Sequence, residues 1–209
     1  ETSSASEVKD KLLSKCNLGG LAVTIPLKLD IMEFMDELSE SAKLIGAVNT
    51  VIPLGDGKFK GDNTDWLGIY NSFLANGVPE NARGNSGFVI GAGGTSRAAI
   101  YALHQLGCSD IHLVNRTVEK SHDLKKSFPS EYNLHVLEDS QQAEGISGSV
   151  ALAVSCVPAD KPLDDNLLAR VRAVLAKAQG TSFKPTLLEA AYKPAVTPIM
   201  KTASDEFSW

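Results

Sequence analysis

The feature that most limits the fold of this chain is a glycine-rich loop between a strand pattern and a helix pattern. The apolar run Phe88-Val89-Ile90 precedes Gly91-Ala92-Gly93-Gly94-Thr95-Ser96, and an alanine-rich helix pattern extends from Ser96 to Leu106. Glycines at such a turn let the backbone approach a pyrophosphate, whose charge is stabilised by free N–H groups and the positive helix end. A tight turn can also need glycine for steric reasons alone, and Ser96 replaces the third glycine of the usual fingerprint.

Strand and helix patterns alternate beyond this loop. They continue through four segments: Ile111 to Val114, Ala151 to Val154, Leu167 to Leu175 and Leu187 to Tyr192. Alternation of this kind is typical of a parallel sheet wrapped by helices, so an α/β domain of the Rossmann type is predicted over residues 84–209. A segment rich in Gly, Pro and Asn, from Asn76 to Asn85, predicts a boundary with a smaller α/β domain over residues 1–83.

The residues after the second strand of the larger domain bear on the choice of nucleotide. An NAD site normally has an acidic residue about twenty residues beyond the glycine loop, against the ribose 2′-hydroxyl. This chain has Asn115-Arg116-Thr117 there, and Lys120 follows one helical turn later. The planar guanidinium of arginine suits a 2′-phosphate, so the pattern favours NADP over NAD. In isolation, Arg116 is equally well explained as a solvated surface residue.

The smaller domain is predicted to begin with a strand and a helix. Leu21 to Ile25 has the pattern of a buried strand, which Pro26 ends. The apolar residues that follow have the spacing of a helix with one buried face: Ile31, Phe34, Met35 and Leu38. Ala47 to Pro53 predicts a second strand, with a hairpin turn at Gly55-Asp56-Gly57.

Four polar residues of this domain lie where predicted elements begin or end: Thr24, Lys28, Asn49 and Asp65. Side chains from the ends of different elements can converge on a ligand. Each also has an ordinary structural explanation, because Lys28 could be a surface lysine, Asn49 a turn residue and Asp65 a helix N-cap. On spacing alone, the chain is predicted to be an NADP-binding protein similar to reductases.

Composition narrows the class of ligand. Twenty Lys and Arg residues against twenty-five Asp and Glu residues give a net charge of −5. This balance argues against a nucleic-acid surface or a polybasic membrane anchor, and favours a small molecule. Cys16, Cys108 and Cys156 are odd in number and match no zinc spacing, which predicts reduced thiols in a cytoplasmic protein.

Six motifs, in this order along the chain, resemble the shikimate dehydrogenase family. They are Val23-Thr24-Ile25-Pro26-Leu27-Lys28, Ile45-Gly46-Ala47-Val48-Asn49-Thr50, Gly61-Asp62-Asn63-Thr64-Asp65, Val89-Ile90-Gly91-Ala92-Gly93-Gly94, Asn115-Arg116-Thr117, and Tyr192-Lys193-Pro194 through Thr197-Pro198. The wording of three segments, Val23 to Met32, Gly61 to Gly68 and Val154 to Leu163, is similar to the C-terminal domain of a fungal multifunctional polypeptide. The resemblance implies reversible, NADPH-dependent reduction of 3-dehydroshikimate to shikimate, with other domains of such a polypeptide as partners.

The resemblance also implies roles for individual residues. Lys28 and Asp65 would be the catalytic pair, Thr24 and Asn49 would hold the substrate, and Tyr192 would edge its cleft. The residues expected to bind the cofactor are Gly91, Ala92, Gly93, Gly94, Thr95, Arg97, Asn115, Arg116, Thr117, Lys120, Ser155 and Val157.

Two parts of the family's cleft, a serine-bearing loop and a glutamine-bearing helix, would lie before Glu1 and after Trp209. The sequence therefore predicts a chain truncated at both ends, with weak NADP binding and negligible turnover on its own. One alternative is a sensor of quinate metabolism with the same ancestry, which would bind ligands without turnover. Retention of both Lys28 and Asp65 counts against that alternative. Another is an NADP reductase with an unrelated substrate.

Overall fold

A computed structural model describes residues 4–15, 17–79, 82–160, 162–178 and 180–209. Its contacts divide the chain into two compact units, Glu1–Trp66 and Leu67–Trp209. This division lies inside a helix, upstream of the boundary segment predicted at Asn76 to Asn85, part of which lies outside the described residues. The domain limits 1–83 and 84–209 therefore stay a prediction.

The first unit is built around a four-stranded sheet. Its elements are α1 (Ala5–Val8), a π-helical turn (Lys9–Leu13), β1 (Leu21–Ala22), a 3-10 turn (Asp30–Phe34), β2 (Glu37–Leu38), α2 (Glu40–Ile45), β3 (Thr50–Gly55) and β4 (Lys58–Asp62). Helix α3 (Asp65–Ala75) follows directly. The strand order is β1-β3-β4-β2, with β2 parallel to β4 and the other neighbours antiparallel.

The predicted hairpin is confirmed, but the predicted helix from Ile31 to Leu38 is wrong. The chain makes only the short 3-10 turn and becomes extended at Met35, and Leu38 then pairs with Gly61 in β2. A Cβ atom on Gly61 would lie 2.9 Å from the side chains of both Met35 and Leu38. These two apolar side chains therefore pack on a glycine of the sheet, which explains their apolar character without a helix. The strand predicted from Leu21 to Ile25 is also shorter than expected.

The second unit alternates strands and helices throughout. Its elements are β5 (Asn85–Ile90), α4 (Gly94–Gln105), β6 (Ile111–Val114), α5 (Val118–Lys126), a 3-10 turn (Ser130–Tyr132), β7 (Leu134–Val136), α6 (Ser140–Glu144), β8 (Ser149–Ser155), α7 (Asp165–Leu175), a 3-10 turn (Ala176–Ala178), β9 (Thr186–Glu189) and α8 (Pro198–Phe207). All neighbouring strands are parallel, in the order β7-β6-β5-β8-β9. The predicted Rossmann-type parallel sheet is confirmed.

The sheet of this unit is buried and forms its core. Strands β5, β6 and β8 are almost fully buried, with α7 and α8 contributing Val171, Val174 and Ile199 to the cluster around Phe88. Because the strands are parallel, their carboxyl ends lie along one edge. The order reverses between β5 and β8, and open α/β sheets bind ligands in the crevice at such a reversal.

Among the residues that the structure describes, no helix is long and apolar enough to cross a membrane. Cys108 is buried and Cys156 half-buried, and neither is in a disulfide. Burial raises the pKa of the Cys108 thiol to about 12, so it stays protonated as a small apolar side chain. Cys16 lies outside the described residues.

Candidate active site and nucleotide site

The first unit holds an ion pair between Lys28 and Asp65. The Nζ atom of Lys28 lies 2.7 Å from Oδ2 of Asp65, and the lysine is only 8% exposed. The Val48 N–H donates to the Lys28 carbonyl at 2.7 Å, which holds the turn after Pro26 against the segment before β3. Asp65 is the first residue of α3, as predicted. A lysine and a carboxylate held in this way can transfer a proton at a defined point.

Asn49 connects the two sides of this pair. Its Nδ2 atom donates to Oδ1 of Asp65 at 2.7 Å, so both carboxylate oxygens of Asp65 have a partner. Its Oδ1 atom accepts from the Thr64 N–H at 2.9 Å and from the Thr50 hydroxyl at 2.8 Å. The structure thus brings together three of the predicted residues, Lys28, Asn49 and Asp65.

Sequence analysis missed two residues that support this arrangement, Asp62 and Asn63. Asn63 is buried; it accepts from the Asp65 N–H at 3.1 Å and donates to the Ala47 carbonyl at 3.0 Å. Partial burial would raise the pKa of Asp62, but hydrogen bonds from Ser39 and from the Asn63 N–H hold that pKa below its usual value. The signal is present in Gly61-Asp62-Asn63-Thr64-Asp65, one of the six family motifs, in which the sequence analysis assigns a role to Asp65 alone.

The structure places the other two predicted substrate residues, Thr24 and Tyr192, on exposed surface. Thr24 is exposed in the turn that leads to Lys28, and its carbonyl accepts from the Leu27 N–H. The Val23 N–H donates to the Asn49 carbonyl at 2.7 Å, so the backbone next to Thr24 is fixed to the residue that immediately precedes β3. Tyr192 belongs to the second unit and is 82% exposed.

The glycine loop of the second unit has the geometry of a phosphate cradle. Gly91 has a φ of +117°, and a Cβ atom there would lie 3.1 Å from Oγ of Ser96 and 3.4 Å from Cys156. The Gly93 N–H donates to the buried Ser96 hydroxyl at 3.2 Å. Serine at the third position therefore braces the loop through its hydroxyl. An added Cβ on Gly93 would meet nothing within 4 Å.

The loop after β6 carries the predicted 2′-phosphate residues. Asn115 Nδ2 donates to the Thr117 carbonyl at 2.8 Å, which curls the loop before α5. Arg116 and Lys120 are exposed, and Arg116 lines a cavity of about 410 Å³. By contrast, Arg97 on α4 donates to the Ser127 hydroxyl at 2.9 Å, at the opposite end of α5.

The remaining predicted cofactor residues lie at the same edge of the sheet. Ala92 lies in the glycine loop, and Gly94 and Thr95 begin α4. Ser155 ends β8 and is fully buried, and its hydroxyl has no hydrogen-bond partner within the described part of the chain. Val157, two residues later, packs against the core cluster.

An open parallel sheet with a glycine loop at its reversal of strand order defines the second unit as a nucleotide-binding domain of the Rossmann class. Two family models match this chain: the shikimate dehydrogenase substrate binding domain over residues 1–51, and shikimate / quinate 5-dehydrogenase over residues 74–166. The chain belongs to the shikimate dehydrogenase family.

The relatives that this chain resembles include long fungal proteins. The pentafunctional AROM polypeptide of Lachancea thermotolerans is 98% identical over all 209 residues, and that of Candida glabrata is 62% identical. The chain spans about 13% of the length of these curated relatives.

Solved structures agree with this assignment. The dehydroquinate dehydratase and shikimate dehydrogenase from S. pombe AroM is 46% identical with a TM-score of 0.76, over 98% of this chain and 39% of that one. Shikimate dehydrogenase from Aquifex aeolicus is 29% identical with a TM-score of 0.74, and the match covers 98% of this chain and 70% of that one. A Thermus thermophilus shikimate 5-dehydrogenase, solved with NADP(H) and shikimate, is 25% identical with a TM-score of 0.68. This match covers 96% of this chain and 68% of that one.

Proposed function

We propose that this chain is the shikimate dehydrogenase segment of a multifunctional polypeptide, and that it interconverts 3-dehydroshikimate and shikimate with NADP. The observation that carries the proposal is the partly buried ion pair of Lys28 and Asp65, braced by Asn49. Family membership and the AROM relatives support the choice of substrate. A sensor without turnover would have no need of this pair, which counts against the alternative of a quinate-pathway sensor.

Lys28 supplies the proton in the proposed reaction. Reduction of a ketone builds negative charge on its oxygen, and an ammonium group nearby stabilises that charge and then protonates the oxygen. The Nζ atom of Lys28 is held by Oδ2 of Asp65, which fixes the direction from which the proton leaves. In the oxidation direction, the neutral lysine accepts the hydroxyl proton. Asp65 orients Lys28, while Asn49 and Thr24 are proposed to bind the substrate, with Tyr192 at the edge of its cleft.

The second unit fits the cofactor, which supplies a hydride to the substrate when bound. Gly91 has no room for a side chain, and the space next to Gly93 is open, as a pyrophosphate cradle requires. The Ser155 hydroxyl at the end of β8 has no hydrogen-bond partner among the described residues and is proposed to bond to the cofactor. Arg116 is exposed beside a cavity and is proposed to bind the 2′-phosphate, with Asn115, Thr117 and Lys120 around it.

The remaining cofactor residues are proposed on the same grounds, with Gly94, Ala92 and Thr95 at the pyrophosphate and Val157 near the nicotinamide side. Arg97 has the least structural support in this set, because its guanidinium contacts the far end of α5.

We further propose that residues 1–83 bind the substrate and residues 84–209 bind the nucleotide. We also propose that the polypeptide works in the cytoplasm. The odd number and wide spacing of the cysteines support that compartment.

Replacing Lys28 with methionine in the multifunctional polypeptide tests the proposal. We expect the Lys28→Met substitution to lower kcat for shikimate oxidation by about two to four orders of magnitude, because general acid–base catalysis contributes that much. Affinity for NADP should change little. The matched control is Lys43→Met, which removes an exposed lysine of the same unit that pairs with Glu40. If the Lys28→Met enzyme keeps more than a third of its turnover, the catalytic assignment is wrong.

A further inference from the structure

Arg170 of α7 is a buried cation at the carboxyl edge of the parallel sheet. Only 4% of the surface of Arg170 is exposed. The Nη2 atom donates to the Asn115 carbonyl at 3.1 Å, and the Nη1 atom donates to the Leu137 carbonyl at 3.0 Å. These carbonyls follow the neighbouring strands β6 and β7. One guanidinium therefore bridges the ends of two strands, and one of its two carbonyls belongs to the residue before Arg116.

The acidic residues nearest to this guanidinium serve other groups. Asp139 accepts from the Gln142 N–H and Asp164 from the Leu167 N–H, so each carboxylate caps a helix. In the described part of the chain, Arg170 forms no salt bridge, and its hydrogen bonds go to backbone carbonyls. Burial lowers the pKa of Arg170, and the negative charges of Asp164 and Asp139 offset this effect only in part, so burying the guanidinium is costly. Because of this cost, we expect Arg170 to do more at this site than fill space.

The same cavity of about 410 Å³ that Arg116 lines is also lined by Arg170, Asp139 and Asp164. Glu138 lines it as well, so two arginines face three carboxylates. Without Arg170, a single cation would remain against three negative charges, which is unfavourable for a phosphate group. With Arg170 in place, the Asn115 carbonyl is fixed and the backbone from which Arg116 projects has one defined position. Arg170 can therefore act on a bound phosphate through Arg116 without touching it.

We propose that Arg170 is a positioning residue that sets the preference for NADP over NAD by fixing the Asn115-Arg116 backbone. This inference rests on the proposed NADP-dependent function. It makes a prediction that a purely structural role does not make. Loss of a structural residue weakens the binding of both nucleotides alike, whereas loss of this residue weakens the recognition of the 2′-phosphate.

The experiment compares the affinities of the protein for NADP and NAD by titration calorimetry or fluorescence. Arg170→Lys keeps the charge but cannot bridge two carbonyls with a planar fork, and Arg170→Gln also removes the charge. The matched control is Arg172→Lys, two residues along the same helix, where the arginine pairs with Glu206 on the surface. Adenosine 2′,5′-bisphosphate and 5′-AMP serve as smaller probes that differ only in the 2′-phosphate.

We expect Arg170→Lys to reduce the ratio of NAD to NADP dissociation constants about tenfold, in line with loss of one charged hydrogen bond to the 2′-phosphate. Arg170→Gln should reduce it at least as much, and Arg172→Lys should leave it unchanged. In an Arg116→Ala background, neither substitution of Arg170 should reduce the ratio further, because the pathway through Arg116 is already absent.

The inference is overturned if both Arg170 variants fold and keep the ratio within twofold of the unmodified protein, or if they weaken both nucleotides equally. It is also overturned if the effects of Arg116→Ala and Arg170→Lys on the ratio are additive. Failure of the proposed function has a different signature. In that case the unmodified protein itself binds the two nucleotides equally, or binds neither.

Discussion

The side-chain amide of Asn49 donates to Oδ1 of Asp65 at 2.7 Å, on the side of the carboxylate opposite to Lys28. The same amide accepts from the Thr64 N–H through its oxygen. One side chain thus fixes both the carboxylate and the loop that carries it. Proton transfer depends on the distance and direction between donor and acceptor, so the position of Asn49 bears directly on the rate.

Replacing Asn49 with alanine should lower kcat/KM for shikimate by about one to two orders of magnitude. The reason is the loss of a hydrogen bond to a charged group, which is worth about 1.5 to 3 kcal/mol. NADP affinity should stay the same, because the change lies in the first unit. Asn76→Ala is the control, since the Asn76 amide donates to the Ser72 carbonyl at the end of α3 and not to the ion pair. Equal kcat/KM for Asn49→Ala and the unmodified enzyme would refute the bracing role.

Replacing Arg116 with alanine should narrow the preference for NADP over NAD by about one to two orders of magnitude in affinity. A charged hydrogen bond to the 2′-phosphate accounts for a difference of this size. Titration of both nucleotides measures it. Lys125→Ala removes an exposed positive charge from the far end of α5 and should change neither affinity. Equal binding of the two nucleotides by the unmodified protein would rule out the phosphate contact.

Two glycines of the phosphate loop should respond differently to alanine. Gly91→Ala forces a side chain into φ +117° and within 3.1 Å of Ser96 Oγ, so we expect a loss of about 1 to 3 kcal/mol in the free energy of unfolding. Gly93→Ala has open space and a φ of −95°, so the fold should keep its stability. NADP affinity should nevertheless fall at least tenfold, because the new methyl group lies where the pyrophosphate approaches.

Urea unfolding and NADP titration of the two variants separate these effects. The result that contradicts the cradle is a Gly93→Ala protein that binds NADP as tightly as the unmodified protein.

His112 should make the stability of the second unit depend on pH. It is buried on β6, both of its ring nitrogens lack a partner among the described residues, and burial lowers its pKa from 6.5 to about 4. The neighbouring His135 lowers the same pKa, and Asp110 raises it. Between pH 6.5 and about pH 4, the unfolded chain therefore binds a proton at His112 that the folded chain does not. The free energy of unfolding should therefore fall as the pH drops from about 6.5 to about 4, by up to about 3 kcal/mol.

The measurement is urea unfolding at pH 7 and pH 5 for the unmodified protein and for His112→Phe. The variant should lose less stability between these two values, because it lacks the buried imidazole. His122→Gln is the control, since His122 is a surface residue that contacts Glu138. An unchanged pH dependence in His112→Phe would show that His112 is not the cause.

The parallel sheet of the second unit could be predicted because its apolar runs and glycine loop are local signals. The segment from Ile31 to Leu38 could not, since its apolar residues match a helix but pack against Gly61 from a distant strand. Local periodicity does not contain that contact. A strand of two residues such as β2 exists only through its partner, β4.

In the site, residue types and motifs indicated Lys28, Asn49 and Asp65, and the structure joins them. The roles of Asn63 and Arg170 could not be predicted in the same way. Asn63 acts through the Ala47 carbonyl, and Arg170 reaches across to the Asn115 carbonyl, 55 residues earlier. Backbone acceptors have no sequence signature, so side chains that bind them are visible only after folding.

The hairpin of β3 and β4 turns at Asp56-Gly57, where four consecutive residues from Gly55 to Lys58 are exposed. Asn49 precedes one strand of this hairpin and Asp65 follows the other, so roughly 20 Å of strand separates the turn from the ion pair. The turn is therefore an attachment point for a fluorescent or spin label. A label there would report on the hairpin while leaving the proton-transfer chemistry intact.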